Sequence, residues 1–331
     1  MAVLVTGGAG YIGSHTVLAL IDAGEQVVVL DDLSTGTRNA VHPSARLIVG
    51  DVADAPLVQR IVVEHRVDDV VHFAAKLIVP DSVADPLDYY LANTVKSRAL
   101  FAASIDAGAK RIVFSSTAAV YGMPAENPVG EDAPTTPISP YGTSKLMSEW
   151  MLRDAAAAHG IGYVTLRYFN VAGADPNGRA GQTSSVSTHL IKVASEAALG
   201  KRRNVEVYGN DYPTPDGTCI RDYIHVTDLA AAHVDALRHL RSGGDNLTLN
   251  CGYGRGYSVF EVVNAVKREA GTNFPVRIGP RRPGDPAAIV ARASRIRDEL
   301  GWRPCYDDLS VIVAHALAWE RAIPVKPSVA A

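Results

Sequence analysis

Through its first half the chain alternates short, almost wholly apolar runs with longer stretches whose apolar residues recur at helical spacing. Strands covered on both faces read as continuous Val, Ile and Leu, and strands alternating with helices close into a parallel sheet. The pattern predicts strands at Ala2–Thr6, Gln26–Leu30, Arg46–Val49, Asp69–Phe73, Arg111–Ser115 and Gly162–Arg167. Helices fill the gaps, the longest over Pro86–Ala107 and Pro140–His159. The expected fold class is α/β, a doubly wound parallel sheet.

After Asn170 the periodicity loosens. Gly173–Thr188 and Tyr208–Thr218 (YGNDYPTPDGT) concentrate turn-forming residues, the mark of binding loops or disorder in a chain of this size. RDYIHVTDLAAAHVDAL then resumes strand-to-helix order. We therefore expect residues 1–172 to form one domain, to which about 219–250 return, and 173–331 to form mainly a smaller, interleaved substrate lobe.

Composition narrows the function classes. A net charge of -3 over 331 residues excludes a protein built to bind a long nucleic acid. The three cysteines, Cys219, Cys251 and Cys305, lie far apart without a CxxC pair, which suits a reducing compartment and offers no zinc site. The opening MAVLVTGGAG carries too short an apolar run for a signal peptide, and no run approaches the ~20 residues of a bilayer span. A cytoplasmic protein with no membrane and no metal partner is expected.

Directly after the first strand comes TGGAGYIG, with Gly7, Gly10 and Gly13 spaced by three and Gly8, Gly10 and Gly13 satisfying GxGxxG. Glycines between a strand and a helix allow a tight turn and let backbone approach a pyrophosphate at the helix N-terminus, which carries unpaired N–H groups. The second strand runs into Asp31, eighteen residues past Gly13, where an acid binds ribose hydroxyls and repels a 2′-phosphate. A Rossmann-type site for NAD follows, although Asp32 and Arg38 add charge nearby. Two more strand ends open on the same crevice. Asp51 of Gly50-Asp51-Val52 reads as an adenine contact or a helix N-cap, and in Phe73-Ala74-Ala75-Lys76 the small Ala74 and Ala75 leave room for cofactor while Lys76 faces phosphate or solvent.

The segment SPYGTSK places Tyr141 and Lys145 four apart, on one helix face. The pairing is either a solvated surface or a phenol whose pKa a fixed ammonium lowers. Thr117, in FSSTAAVYG, supplies a hydroxyl at the end of the preceding strand.

Together, TGGAGYIG, a strand-end hydroxyl and YxxxK resemble the extended short-chain dehydrogenase/reductase family. LRYFN, GNDYPTPDGTCIRDYIHVTDLA and RRPGD resemble its UDP-glucose 4-epimerase branch, over nearly the whole chain. The resemblance implies inversion at C4 of a UDP-hexose through a 4-keto intermediate, as in UDP-galactose to UDP-glucose, with NAD as cofactor and a homodimer as assembly. Tyr141 would be base and acid, Lys145 would hold the nicotinamide ribose and lower the tyrosine pKa, and Thr117 would bond the same C4 oxygen. The cofactor set would comprise Gly7, Gly10, Tyr11, Ile12, Gly13, Asp31, Asp51, Val52, Phe73, Ala74, Ala75, Asn93 and Tyr168, with Tyr141 and Lys145. For the substrate it implies Phe169, Asn170, His189 and Leu190, Arg221 and Arg282 on the diphosphate, and Tyr208 and Asp285 at the uridine.

Read without the resemblance, Phe169 and Tyr208 are core aromatics, Arg281 and Arg282 a solvated pair, and His189 a core histidine. Family members place a lysine one residue after Lys76, where this chain has Leu77. The resemblance makes Ile289 the position that gates the sugar C2 substituent, so 4-epimerases of UDP-N-acetylglucosamine, UDP-xylose or UDP-glucuronate remain alternatives. A 4,6-dehydratase needs an Asp-Glu pair after the threonine, where Ala118 and Ala119 stand, and a non-catalytic NAD-binding regulator would tolerate loss of Tyr141 or Lys145.

Overall fold

The computed structural model describes residues 1–183, 188–282 and 284–323. Residues 184–187 of the irregular stretch, Pro283 of RRPGD and 324–331 of the expected substrate lobe lie outside them. The strands of the first half are β1 (Ala2–Thr6), β2 (Gln26–Asp31), β3 (Arg46–Val49), β4 (Val67–His72), β5 (Arg111–Thr117) and β6 (Gly162–Tyr168). Later come β7 (Asn170–Ala172), β8 (Val205–Tyr208), β9 (Ile220–His225), β10 (Leu247–Cys251), β11 (Gly256–Ser258), β12 (Val276–Gly279) and β13 (Ala288–Ile289). Helices are α1 (Tyr11–Asp22), α2 (Ala55–Glu64), α3 (Val79–Ala84), α4 (Pro86–Tyr89), α5 (Lys96–Asp106) and α6 (Pro140–His159), then α7 (Leu190–Ala198), α8 (Val226–Arg241), α9 (Val259–Ala270), α10 (Ser294–Leu300) and α11 (Leu309–Ala322).

Seven strands form one parallel sheet in the order β10-β6-β5-β4-β1-β2-β3. The order reverses at β1, so a crevice opens between the carboxyl ends of β1 and β4. Both faces are covered, which explains the near-continuous apolar strands: Val3 and Val5 enter one core with α1 and α8, while Ala2 and Leu4 enter another with α2, α5 and α6. Full burial of one such aliphatic side chain contributes about 1.5–3 kcal/mol.

Two expectations are corrected. The β2–β3 connection holds no α-helix, only a 3-10 turn at Arg38–Ala40. Pro86–Ala107 is not one α-helix, because residues Tyr90–Val95 wind as a π-helix between α4 and α5. The i→i+5 spacing of such a bulge re-aims side chains and recurs at functional sites.

The later segments split. Strand β10 pairs with β6, and α8 packs on α1, against the large sheet. A separate core gathers α7, α9 and α11 around Val205 and Tyr223. Strands β7, β9, β11 and β13 form a small sheet, and β8 pairs with β12. Among the described residues no helix is long and apolar enough to cross a membrane.

Candidate active site

Gly10 caps α1 without any side-chain hydrogen bond, and the first turn carries no acid. The first N–H groups of the helix are therefore left for an anion. A Cβ on Gly13 would lie 2.2 Å from the Gly7 carbonyl oxygen, so the loop closes on the helix only with glycine there. Asp31, at the end of β2, is buried and accepts hydrogen bonds from the backbone of Ala9 at 2.9 Å and Leu33 at 2.8 Å. Burial raises its pKa against those two bonds. Tyr11 donates to the Gly173 carbonyl at 2.7 Å, tying α1 to the segment after β7, while Val52 is buried and Ile12 packs on the core.

Asp51 is not the cap of α2; Asp54 takes that role, accepting from Leu57 N. Burial acts to raise the Asp51 pKa, but bonds from Lys96 at 2.5 Å and from Ala53 N outweigh it, and its carboxyl sits below the usual range. Phe73, Ala74 and Ala75 follow β4 half-buried at the crevice, the Phe73 ring lying 4.7 Å from that of His233 at a 46° tilt. The Lys76 side chain turns to Asp88. Its backbone N–H donates to Asn93 Oδ1 at 2.8 Å and its carbonyl accepts from Asn93 Nδ2 at 3.0 Å. Asn93, buried within the π-helix, also donates to Ser144 Oγ at 3.1 Å, and its own carbonyl accepts from Ser148. The amide thus fastens the loop after β4 to α6.

Helix α6 starts with Ser139 as N-cap, accepting from Gly142 N, and Pro140 in the first turn, a pairing worth about 1 kcal/mol at the cap. A Cβ on Gly142 would meet the Ala119 carbonyl at 2.6 Å, so the helix approaches the end of β5 as closely as backbone allows. That approach brings Tyr141 to Thr117, whose hydroxyl accepts from Ala119 N at 3.1 Å and acts on the phenol. Burial raises the Tyr141 pKa and Thr117 opposes it; the protein's own groups do not produce the expected depression by Lys145. The reason is that burial pulls Lys145 itself down to about 7, with Glu149 opposing. Lys145 donates to the Ser115 carbonyl at 2.9 Å and lies 5.0 Å from the Phe114 ring centroid. The Tyr168 hydroxyl meets Ser115 Oγ, which places it at the same strand end.

The uridine and sugar positions come from other elements. Phe169 is buried and Asn170 exposed at the start of β7. His189 precedes α7, which begins at Leu190; burial lowers its pKa, and Gln182 lies 3.3 Å from its Nδ1. Arg221 on β9 donates to Asp285 at 3.0 Å. Arg282 stacks over Tyr208 at 3.8 Å, while Arg281 stacks over Tyr212 at 4.2 Å and donates to Asp211 at 2.6 Å. Neither arginine of the pair is simply solvated. Ile289 is buried beside Arg221 in the β13–β9 register.

The model of the NAD dependent epimerase/dehydratase family matches residues 3–252. The chain belongs to that family. A UDP-glucose 4-epimerase from Azospirillum brasilense is 59% identical over 321 residues, covering 97% of this chain and 92% of the relative. The crystal structure of UDP-glucose 4-epimerase from Brucella ovis in complex with NAD matches with a TM-score of 0.93 at 45% identity, covering 96% of this chain and 97% of that one. The UDP-glucose 4-epimerase from Bifidobacterium longum, solved with NAD+ and UDP, matches at 0.93 and 39% identity over 98% and 99% of the two chains.

The residues of this epimerase/dehydratase chain fit its family's cofactor. An uncapped helix start for the pyrophosphate and Asp31 at the strand end match the donor and acceptor pattern of NAD. Sequence reasoning missed three participants. Ser144 fixes Asn93, Ser115 meets both Lys145 and Tyr168, and Glu149 joins Ser116 to Arg167. Glu149 carried a signal, since it lies one helical turn beyond Lys145 on the same face. The others depend on contacts between distant segments.

Proposed function

We propose that the protein inverts C4 of a UDP-hexose, interconverting UDP-galactose and UDP-glucose. The observation that carries this reading is the meeting of Tyr141 with Thr117, which acts to lower its pKa, beside Lys145 buried against the Ser115 carbonyl. NAD, when bound, supplies the acceptor and then the donor of a hydride. Tyr141 as phenolate takes the proton of the C4 hydroxyl while that carbon becomes a ketone, a general-base contribution of typically ~10²- to 10⁴-fold. Thr117 donates to the oxygen in transit. The ketone then turns about its diphosphate anchor, and Tyr141 returns the proton to the C4 oxygen as the opposite face is reduced. Net redox is zero.

Arg221 and Arg282 serve the diphosphate, for which a planar guanidinium fork is suited. Each has an internal partner, Asp285 and Tyr208, that fixes its direction. Dehydration across C5 and C6 would require a further acid and base, and Ala118 and Ala119 after Thr117 provide neither.

A homodimer through α5, α6 and the π-helix belongs to the same proposal. Leu91 and Val95 are 50% and 52% exposed at i,i+4, and Met147 and Trp150 are 37% and 47% exposed at i,i+3, so two apolar stripes face outward on adjacent elements. Cys219, Cys251 and Cys305 are all free, in keeping with a reducing cytoplasm.

Purified protein incubated with UDP-galactose, with no NAD added, is expected to form UDP-glucose. Absence of turnover of any UDP-hexose by protein that carries NAD would overturn the proposal.

A further inference from the structure

Behind the lysine lies a buried charge network that the proposed chemistry does not use. Lys145, Glu149 and Arg167 are 4%, 6% and 7% exposed. Strand alternation sorts the end of β5: Ser115 and Thr117 share one face with Tyr168 and Tyr141, whereas Ser116 turns to the other and donates to Glu149. Arg167 stands opposite Ser116 in the β5–β6 register and binds Glu149 through Nη2 at 2.6 Å and Nε at 3.0 Å. The remaining Nη1 donates to Tyr121 at 3.0 Å, and Tyr121 donates to Asn250 at 2.7 Å. Every partner is therefore held, and the carboxylate cannot swing away.

The contacts of the Lys145 ammonium, the Ser115 carbonyl and the Phe114 ring, are neutral. An ammonium taken out of water without a counter-charge loses its proton. Other titratable groups around it do not fill that need. On β4, His72 is buried and neutral, lowered to about 3 by burial and by Lys145 itself. Burial disfavours an anion at Tyr141 on the same helix and at Tyr168 on β6. Asp81 of α3 and Asp88 of α4 act on Tyr89, Asp88 is paired with Lys76, and Lys96 of α5 is taken by Asp51. Of the two ends of the Arg167–Glu149 pair, the carboxylate is the charge that acts on Lys145.

We infer that Glu149 is a positioning residue of the epimerase reaction: its carboxylate, clamped by Ser116 and Arg167 one helical turn beyond Lys145, is the counter-charge that keeps that lysine an ammonium. The inference rests on Tyr141 and Lys145 acting as proposed above. It explains why a charged pair is buried here at all, when an apolar pair of similar volume would hold α6 to β6 as well.

The test is the pH dependence of kcat in NAD-loaded Glu149→Gln, measured beside Glu149→Asp and Tyr141→Phe. An opposite charge within ~4–6 Å shifts a pKa by about one unit or more. The alkaline limb of Glu149→Gln is therefore expected to move about one pH unit toward acid, while Glu149→Asp keeps the wild-type limb even where its Tm falls. A Glu149→Gln protein with reduced kcat or Tm but an unmoved alkaline limb overturns the inference. If Glu149→Gln does not fold, Ser116→Ala carries the test, since it loosens the carboxylate without removing it; its limb is expected to move the same way by less, and an unchanged limb overturns the inference. Tyr141→Phe separates the two levels: full activity there refutes the proposed chemistry, and an inactive Tyr141→Phe with an unmoved limb in Glu149→Gln refutes only the role of Glu149.

Discussion

Arg221 Nη2 donates to Asp285 Oδ1 at 3.0 Å, while its Nη1 donates to the Ile220 carbonyl at 2.8 Å. The guanidinium, 12% exposed, is thereby held between β9 and the segment before β13. Its direction is set before substrate arrives, so little side-chain entropy is lost on binding.

Loss of Arg221 is expected to act on binding more than on chemistry. A hydrogen bond to a charged group contributes about 1.5–3 kcal/mol, which corresponds to a rise of roughly 10- to 100-fold in KM. In Arg221→Met the KM for UDP-galactose is expected to rise within that range with kcat changed less. Steady-state kinetics check this, and an unchanged KM would sink the diphosphate assignment.

Thr117 lowers the Tyr141 pKa that burial raises. Removing it in Thr117→Val therefore raises that pKa, so phenolate forms only at higher pH. The acid limb of kcat is expected to move toward alkali, and kcat at pH 7 to fall by about 10-fold or more. A pH–rate profile reads both effects, and a limb that stays in place excludes the proposed hydrogen bond as a tuning element.

Lys145 is held at about 7, against 10.5 for an ordinary lysine. Between those values the unfolded chain binds the extra proton, so the stability this group contributes is present above about 10.5 and lost as pH falls through about 7. Lys145→Met removes that loss. Near pH 7 the variant is expected to melt higher than wild type by about 3 °C or more while losing most activity, the trade seen where function buries a charge. Thermal unfolding across pH 6–10 measures it, and a Tm that falls at pH 7 contradicts the prediction.

The outward stripes of Leu91, Val95, Met147 and Trp150 make the assembly testable. Light scattering is expected to give twice the chain mass of 35.1 kDa for wild type and a single chain mass for the double variant Leu91→Asp, Trp150→Asp. Stripes of this size bury without strain only against another apolar surface. A wild-type protein monomeric at high micromolar concentration would remove the dimer from the proposal.

Local pattern revealed the elements that carry the sheet, because a strand covered on both faces has a composition that helices and loops do not share. Strand β1 and the start of α6 at Pro140 were legible to the residue. The broken helix at 86–107 was not, since nothing in YLANTV distinguishes π from α winding; within the wider turn Asn93 bonds Lys76 and Ser144, both distant in sequence. Three strands of the small sheet were missed for a related reason. At two or three residues β7, β11 and β13 are too short for periodicity, and they exist because β9 offers an edge on each side.

For the site, the order of residues along the chain was enough to put Tyr141 and Lys145 on one helical face and Thr117 at a strand end, because helix and strand periods are local properties of the backbone. How close those groups come depends on Gly142 resting against the Ala119 carbonyl, and their proton affinities depend on burial. Charge energies follow distance and solvent exclusion, neither of which is written into any short stretch of residues. That is why Lys145 reads from its neighbours as an ordinary ammonium, and only the packed structure brings Glu149, Ser116 and Arg167 together behind it.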